Sequence, residues 1–218
     1  MERPNTSQGT PLDIEKIYET LFVFIDDVLF QYRFSTRKSG ENDITQDLAF
    51  SLNEKTYVND MCFAFLNQYQ KGIYTTDIGV CLRSNQCCFC WIEAKRLPTP
   101  NKKNRDEREY VIVSQEKKED GTKKFKGNGG IQRFKEGKHA SECQYSIMIG
   151  YIQDNNTVNY WLSKINAWIT DLTSVDNRFW TKDDCLKKYV SNKCARFLST
   201  HKRKDEKKIT LHHYWITM

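Results

Sequence analysis

The sequence predicts an α/β fold: a mixed central sheet flanked by helices, with an N-terminal helical segment and a C-terminal helix-plus-hairpin extension. Three observations carry that expectation. Apolar residues repeat with helical period through the first third of the chain. At Tyr74 the text changes to β-branched, aromatic and cysteine residues. After residue 130 a helix, a buried strand, a second helix and an alternating tail succeed one another. At 218 residues the chain suits one packed core and is short for two, so a single domain over residues 1–218 is expected. Its core spans about 43–153, with a mobile charged loop at 98–130 and the C-terminal extension at 157–218.

From Leu12 to about Phe34, the residues Ile14, Ile17, Leu21, Phe24, Ile25, Val28 and Leu29 recur at three- and four-residue spacing, as one face of a long helix does. Gly40 breaks the pattern, and Asn42 or Asp43 can cap a second helix, marked by Ile44, Leu48, Phe50 and Leu52 and ending near Glu54. A third helix is expected from Val58 to Gln70, closing at Gly72. Tyr74 to Leu82 and Cys87 to Leu97 read as two strands of a hairpin about the turn Arg83 to Gln86. Residues 98–130 are dense in Lys, Asp, Glu, Asn and Gly, and read as a long loop with one short strand at Tyr110 to Val113. A helix is expected from Ile131 to about Cys143, and Tyr145 to Gln153 has the apolar density of a buried strand. Trp161, Leu162, Ile165, Trp168, Ile169 and Leu172 give a further helix, and the Trp161, Trp168 and Trp180 group reads as core rather than a base-stacking platform. Thr181 and Asp184 form a capping box for a helix through Val190. The tail reads as a hairpin, Ala195 to Thr200 and Ile209 to Thr217, about the charged turn Lys202 to Lys208.

Composition narrows the function classes. Lys plus Arg exceed Asp plus Glu by 34 − 28 = 6, a balance that suits a polyanionic partner. The start, Met1 to Leu12, is polar and lacks a secretory pattern, and the longest apolar stretch, Leu21 to Phe30, is interrupted by Asp26 and Asp27. A soluble, cytoplasmic protein is expected. Of the eight cysteines, Cys81, Cys87, Cys88 and Cys90 lie in strand-like text, which favours buried thiols over disulfides. A zinc module built from these four is the weaker reading, because Cys87 and Cys88 face opposite sides of a strand.

The chemistry centres on Thr76-Asp77-Ile78-Gly79-Val80 and Trp91-Ile92-Glu93-Ala94-Lys95. Residues two apart on a strand share a face, so Glu93 and Lys95 project together, and antiparallel pairing across the turn brings Asp77 beside Glu93. Paired carboxylates make an oxygen-rich site for a hard divalent cation, Mg²⁺ or Mn²⁺, while the nearby ammonium orients a nucleophile or meets charge on a phosphate. A plain surface ion pair is the alternative. It fits less well because Glu93 and Lys95 end the run Cys88-Phe89-Cys90-Trp91-Ile92, where unpaired charge is costly.

With Asp77 on one strand and Glu93-Ala94-Lys95 on the next, the sequence resembles the PD-(D/E)XK nuclease superfamily, the restriction-endonuclease-like fold. The resemblance covers roughly Asp43 to Gln153, and Thr76 stands where the family has Pro. It implies a metal-dependent deoxyribonuclease, endonuclease more than exonuclease, in prokaryotic restriction or antiviral defence. Asp77 and Glu93 would be metal ligands, with the Ala94 carbonyl, and Lys95 would position the attacking water. Glu41 or Gln46 would be a further group from the first core helix. Gln132, Arg133 and Lys135 would face nucleic acid from the helix after the meander, whose free amides could also meet a phosphate. Lys102, Lys103 and Arg105 belong to a basic loop that reads either as a solvated segment or as a DNA flap. His139 reads as a helix-end residue before it reads as a phosphate ligand, and His201, His212 and His213 as structural. A homodimer or a partner subunit is compatible with this reading. The runner-up is a non-catalytic member that binds nucleic acid or a protein on the same fold.

Overall fold

The computed structural model describes residues 13–32, 40–71, 74–100, 106–117, 123–126, 129–191 and 193–218. In chain order the elements are α1 Ile14–Gln31, α2 Glu41–Val58, β1 Phe63–Asn67, β2 Gln70–Lys71, β3 Tyr74–Thr75, β4 Ile78–Leu82, β5 Cys88–Leu97, β6 Val113–Lys117, β7 Lys123–Lys126, α3 Gly130–Lys135, β8 Tyr145–Ile152, α4 Val158–Val175, β9 Lys187–Lys188, β10 Ala195–Lys202 and β11 Lys208–Thr217. The chain is α/β, with a seven-stranded mixed sheet in the order β1-β4-β5-β8-β11-β10-β9. Strands β1, β4 and β5 form an antiparallel meander, β8 lies parallel to both β5 and β11, and β10 and β9 close the far edge antiparallel.

Both faces of the sheet are covered, so its central strands are buried almost throughout and read as apolar runs. Alternation along β8 assigns the two cores. Ile147, Ile149 and Tyr151 pack with α1 and α2, while Met148 and Ile152 pack with α3, α4 and Trp180. The α1 stripe read from spacing is buried from Ile17 to Leu29, while Ile14 at its start is exposed, and Asp13 caps that helix by accepting from the Lys16 amide at 3.3 Å. Trp161, Trp168 and Trp180 are all buried.

Several elements differ from the sequence reading. The third helix over Val58 to Gln70 is absent: α2 runs on to Val58 and the chain returns as β1, whose Phe63 and Phe65 alternate into the core. Asn53 fixes this return, donating to the Phe65 carbonyl at 2.5 Å and accepting from its amide at 2.9 Å. Tyr110 to Ile112 form a buried turn rather than a strand of the sheet, so the third meander strand is β1. The apolar residues expected as a short strand in the loop at 98–130 therefore anchor it to the core as a turn instead. The Ile131 helix is one and a half turns, and the Thr181–Asp184 capping box closes a single 3-10 turn instead of a helix to Val190. The C-terminal hairpin is present, but it is no appendage, since β11 sits inside the sheet against β8. Cys81 and Cys88, read as thiols, lie opposite one another at a bulge in the β4–β5 ladder and are joined as a disulfide, while Cys87 is exposed and Cys90 buried. With two of the four sulfurs bonded to each other, one exposed and one buried, they do not form the set that the zinc reading needs.

The buried turn is tied to the rest of the molecule by a polar chain. The Trp215 indole N–H donates to the Tyr110 hydroxyl at 2.9 Å, which donates to His213 Nδ1 at 2.8 Å. His213 Nε2 donates to Ser199 Oγ at 2.7 Å, and Ser199 to His201 Nε2 at 2.6 Å. His201 Nδ1 donates to Asp184 Oδ1 at 2.7 Å, which also accepts from Lys135 Nζ at 2.6 Å. These tautomers follow from Asp184, which is ionised: burial would raise it, but the bonds from His201 and Lys135 hold it down at about 2. Burial keeps both histidines neutral, so every link has one donor and one acceptor. We expect Asp184→Ala to lose about 3–5 kcal/mol of stability, because it strands the buried Lys135 charge. Urea unfolding checks this, and a loss under about 1 kcal/mol, the worth of a surface pair, would show that the chain does not hold the fold.

Candidate functional site

The site arises where β4 and β5 part. Their ladder begins at Ile78↔Ile92, a register that sets Asp77 opposite Glu93, while β5 runs on to Leu97. The β5 amides past that point have no β4 carbonyl to meet, and a buried amide must be satisfied. Two carboxylates take the place of the missing strand. The Ala94 amide donates to Asp77 Oδ2 at 2.7 Å, and the Arg96 amide to Glu41 Oε2 at 3.0 Å, Glu41 being the first residue of α2. Thr76 Oγ1 donates to the Ile92 carbonyl at 2.8 Å, a bond that Pro could not make.

On the adjoining face, Glu93 and Lys95 project together as their spacing requires. Lys95 Nζ lies 2.7 Å from Glu93 Oε1, 2.8 Å from the Ala94 carbonyl and 3.7 Å from Glu41 Oε1. Glu93 is 1% exposed and Lys95 5%. Arg133 from α3 adds a second cation, NH1 to Glu93 Oε1 at 2.9 Å. His139 Nδ1 lies 3.4 Å from Glu93 Oε2, yet neither of these two buried atoms makes a hydrogen bond.

The electrostatics follow from this crowding. Burial works against the Glu93 charge, but Lys95, His139 and Arg133 outweigh it and hold the carboxyl below its ordinary range. Burial likewise disfavours the Lys95 charge, and Glu93, Glu41 and Asp77 reverse the effect, keeping it an ammonium. Asp77 goes the other way. Burial first, and then the neighbouring Glu93 charge, raise it to about 7 against the opposing pull of Lys95. His139 is pushed down to about 4 by burial and is neutral at pH 7.

Among the described residues no group of three His, Cys, Asp or Glu side chains is close enough to hold a metal ion. The donors nevertheless fit a hard divalent cation. Glu93 Oε2 is a buried oxygen without a hydrogen bond, Asp77 carries an ionisation that its surroundings oppose, and the Ala94 carbonyl directly follows Glu93 on β5. An ion there would take Asp77, Glu93 and the Ala94 carbonyl, with water in the remaining positions.

Of the residues expected at the site, the structure gathers Asp77, Glu93, Ala94, Lys95, Glu41 and Arg133. It turns others away. Lys135, expected to face nucleic acid, is 1% exposed and paired with Asp184, and Gln132 is buried with its amide on Glu136 Oε1 at 3.1 Å. The α3 amides expected to meet a phosphate are taken, because Gly130, Ile131 and Gln132 donate to the carbonyls of Glu109, Tyr110 and Val111. A Cβ on Gly129 would stand 2.1 Å from Ile112 Cα, so this close approach requires glycine. Gln46 is exposed, and Lys102, Lys103 and Arg105 lie outside the described residues. His139, read first as a helix-end residue, packs between Trp91 and Phe134 beside Glu93. Only the tertiary fold reveals this, although the positive φ of Gly137 and Ala140 marks the turn that delivers it.

A second constellation has the outline of a hydrolytic triad: Ser199, His201 and Asp184 at 2.6 and 2.7 Å. Ser199 is buried and its oxygen also bonds His213, so it belongs to the structural chain and is closed to substrate. Among the described residues no helix is long and apolar enough to cross a membrane. Comparison of the chain with protein families, with curated proteins and with solved structures finds no match.

The raised Asp77 pKa has a signed consequence. A carboxyl raised from 3.8 to about 7 by folding stabilises the protein below its unfolded pKa, and that contribution is lost as pH rises through 7. Asp77→Asn keeps an acceptor for the Ala94 amide without the charge. We expect this variant to match the wild type near pH 4 and to melt at a higher temperature near pH 8. Thermal melts at both pH values check it, and a variant less stable than wild type at pH 8 would contradict the assignment.

Proposed function

We propose that the chain is a metal-dependent nuclease that hydrolyses phosphodiester bonds in DNA. The observation that carries the reading is the convergence of Asp77, Glu93 and Lys95 at the fork between β4 and β5, with Lys95 bonded to Glu93 and Glu41 closing the group. The strand order supports it too. A helix, the β1-β4-β5 meander, a short helix and the parallel strand β8 succeed one another as in the restriction-endonuclease-like core. The positive balance of the whole chain suits a polyanionic substrate.

In this reading Asp77 and Glu93 hold Mg²⁺ or Mn²⁺ with the Ala94 carbonyl. A divalent ion so bound supplies charge neutralisation at the phosphate and lowers the pKa of its water. Lys95, held as an ammonium, is no general base. It orients the attacking water and meets the negative charge that builds on the phosphate, in a setting dry enough to make one fixed charge effective. Glu41 holds the Arg96 amide and leans on Lys95, which makes it a positioning group. Arg133, on the open side with its side chain 27% exposed, is the cation best placed to meet a phosphate. A role in prokaryotic restriction or antiviral defence, in the cytoplasm and with a second copy or a partner subunit, belongs to the same proposal.

One observation favours the runner-up, a non-catalytic binding module: Lys95 and Arg133 already neutralise Glu93 from within the protein. Incubation with linear and closed-circular DNA, with and without Mg²⁺ or Mn²⁺, separates the two. We expect cleavage that depends on the ion, including cleavage of the circle, and a loss on the order of 10²-fold or more in rate for Lys95→Ala with DNA binding largely retained. Equal rates for wild type and Lys95→Ala would remove the assigned centre. Binding of DNA without cleavage under either ion would install the non-catalytic reading.

A further inference from the structure

We propose that Arg133 is the exchangeable counter-charge of the site: it neutralises Glu93 in the free protein and moves onto a phosphate of the nucleic acid when a divalent ion takes its place. Ion and nucleic acid would then bind cooperatively. The inference rests on the nuclease reading and adds to it a coupling between the two ligands.

Glu93 carries a buried charge, and its two cationic partners are held in different ways. Lys95 comes from the same strand, is itself buried, and has two further partners, the Ala94 carbonyl at 2.8 Å and Glu41 at 3.7 Å. It has nowhere to go. Arg133 reaches in from α3 across the sheet face, with its guanidinium on Glu93 Oε1 and its side chain 27% open to solvent. It can turn outward without burying an unpaired charge. A divalent ion bound between Asp77 and Glu93 would compete with Arg133 for the same carboxylate and repel it at short range. A guanidinium expelled there has one good alternative, a phosphate oxygen on the open side, which its planar fork suits.

The unbonded pair Glu93 Oε2 and His139 Nδ1 fits this exchange. The His139 ring is buried at 3.4 Å and fills the space beside Glu93, but its Nδ1 makes no hydrogen bond there, so it does not replace the contact that Arg133 makes. Lys138, the next cation in sequence, is engaged with Glu136 at 2.6 Å.

Mn²⁺ binding to the full chain, followed by the paramagnetic resonance of the free ion, tests the exchange. It is run without DNA and with a phosphorothioate duplex that resists cleavage. Wild type should bind Mn²⁺ about tenfold tighter with the duplex, within the usual range for coupled ligands. Arg133→Gln should bind Mn²⁺ about tenfold tighter than wild type without DNA, and the duplex should add little. Arg133→Lys keeps the charge and should stay near wild type in the DNA-free arm. The loss of the duplex effect is the readout that separates exchange from a fixed ion pair, because breaking a fixed pair raises ion affinity by Coulomb attraction but leaves the effect of DNA in place. Arg133→Gln binding Mn²⁺ no tighter than wild type without DNA would overturn the exchange and leave the nuclease reading standing. No Mn²⁺ bound by wild type in either arm would overturn both.

Discussion

The site depends on one unmet backbone requirement. Strand β5 extends past the point where β4 leaves it, and its Ala94 and Arg96 amides must find acceptors inside a buried sheet. Asp77 and Glu41 supply them, so acidic side chains are drawn to the fork for backbone reasons before any chemistry is considered. Once they stand there, Glu93 on the adjoining face makes a third acid in close quarters, and the cations gather in response. Lys95 and Arg133 are arranged around Glu93 because a buried carboxylate of this kind is costly without them, and the His139 ring packs beside it.

The same logic governs the far side of the molecule. The turn Tyr110 to Ile112 is buried against α3, where glycine at 129 lets the two backbones meet. Its one polar side-chain group enters the Trp215–Tyr110–His213–Ser199–His201–Asp184 chain that ends on Lys135. Helix α3 is thereby gripped on one side through Lys135 and presents Arg133 to Glu93 on the other. Burial of the C-terminal hairpin within the sheet thus fixes the helix that lines the site. Residues 195–217 are part of the site's support, although they contribute no group to it.

The portions legible in the sequence are those set by local periodicity. The stripe of α1, the two-residue spacing of Glu93 and Lys95, the turn at Arg83 to Gln86 and the closing hairpin each follow from neighbours along the chain. The portions that escaped are set by partners far away. Phe63 to Leu66 is a short apolar run whose helix and strand patterns are hard to tell apart, and it becomes part of strand β1 because β4 and Asn53 of α2 hold it extended. Lys135 looks like its neighbour Arg133 in the text, yet one turns to Asp184 and the other to Glu93. His139 carries no local mark of its place beside Glu93. The disulfide between Cys81 and Cys88 likewise depends on a bulge that sequence spacing does not disclose.

Everything functional rests on Asp77 and Glu93 sharing a divalent ion. Anomalous diffraction from crystals of the protein soaked in Mn²⁺ addresses this most directly. A single strong peak is expected at the β4–β5 fork, roughly 2.0–2.3 Å from a carboxylate oxygen of each residue, typical of hard-cation coordination, and lost in Glu93→Gln. A fork without anomalous density at saturating Mn²⁺, with Lys95 and Arg133 still on Glu93, would contradict it.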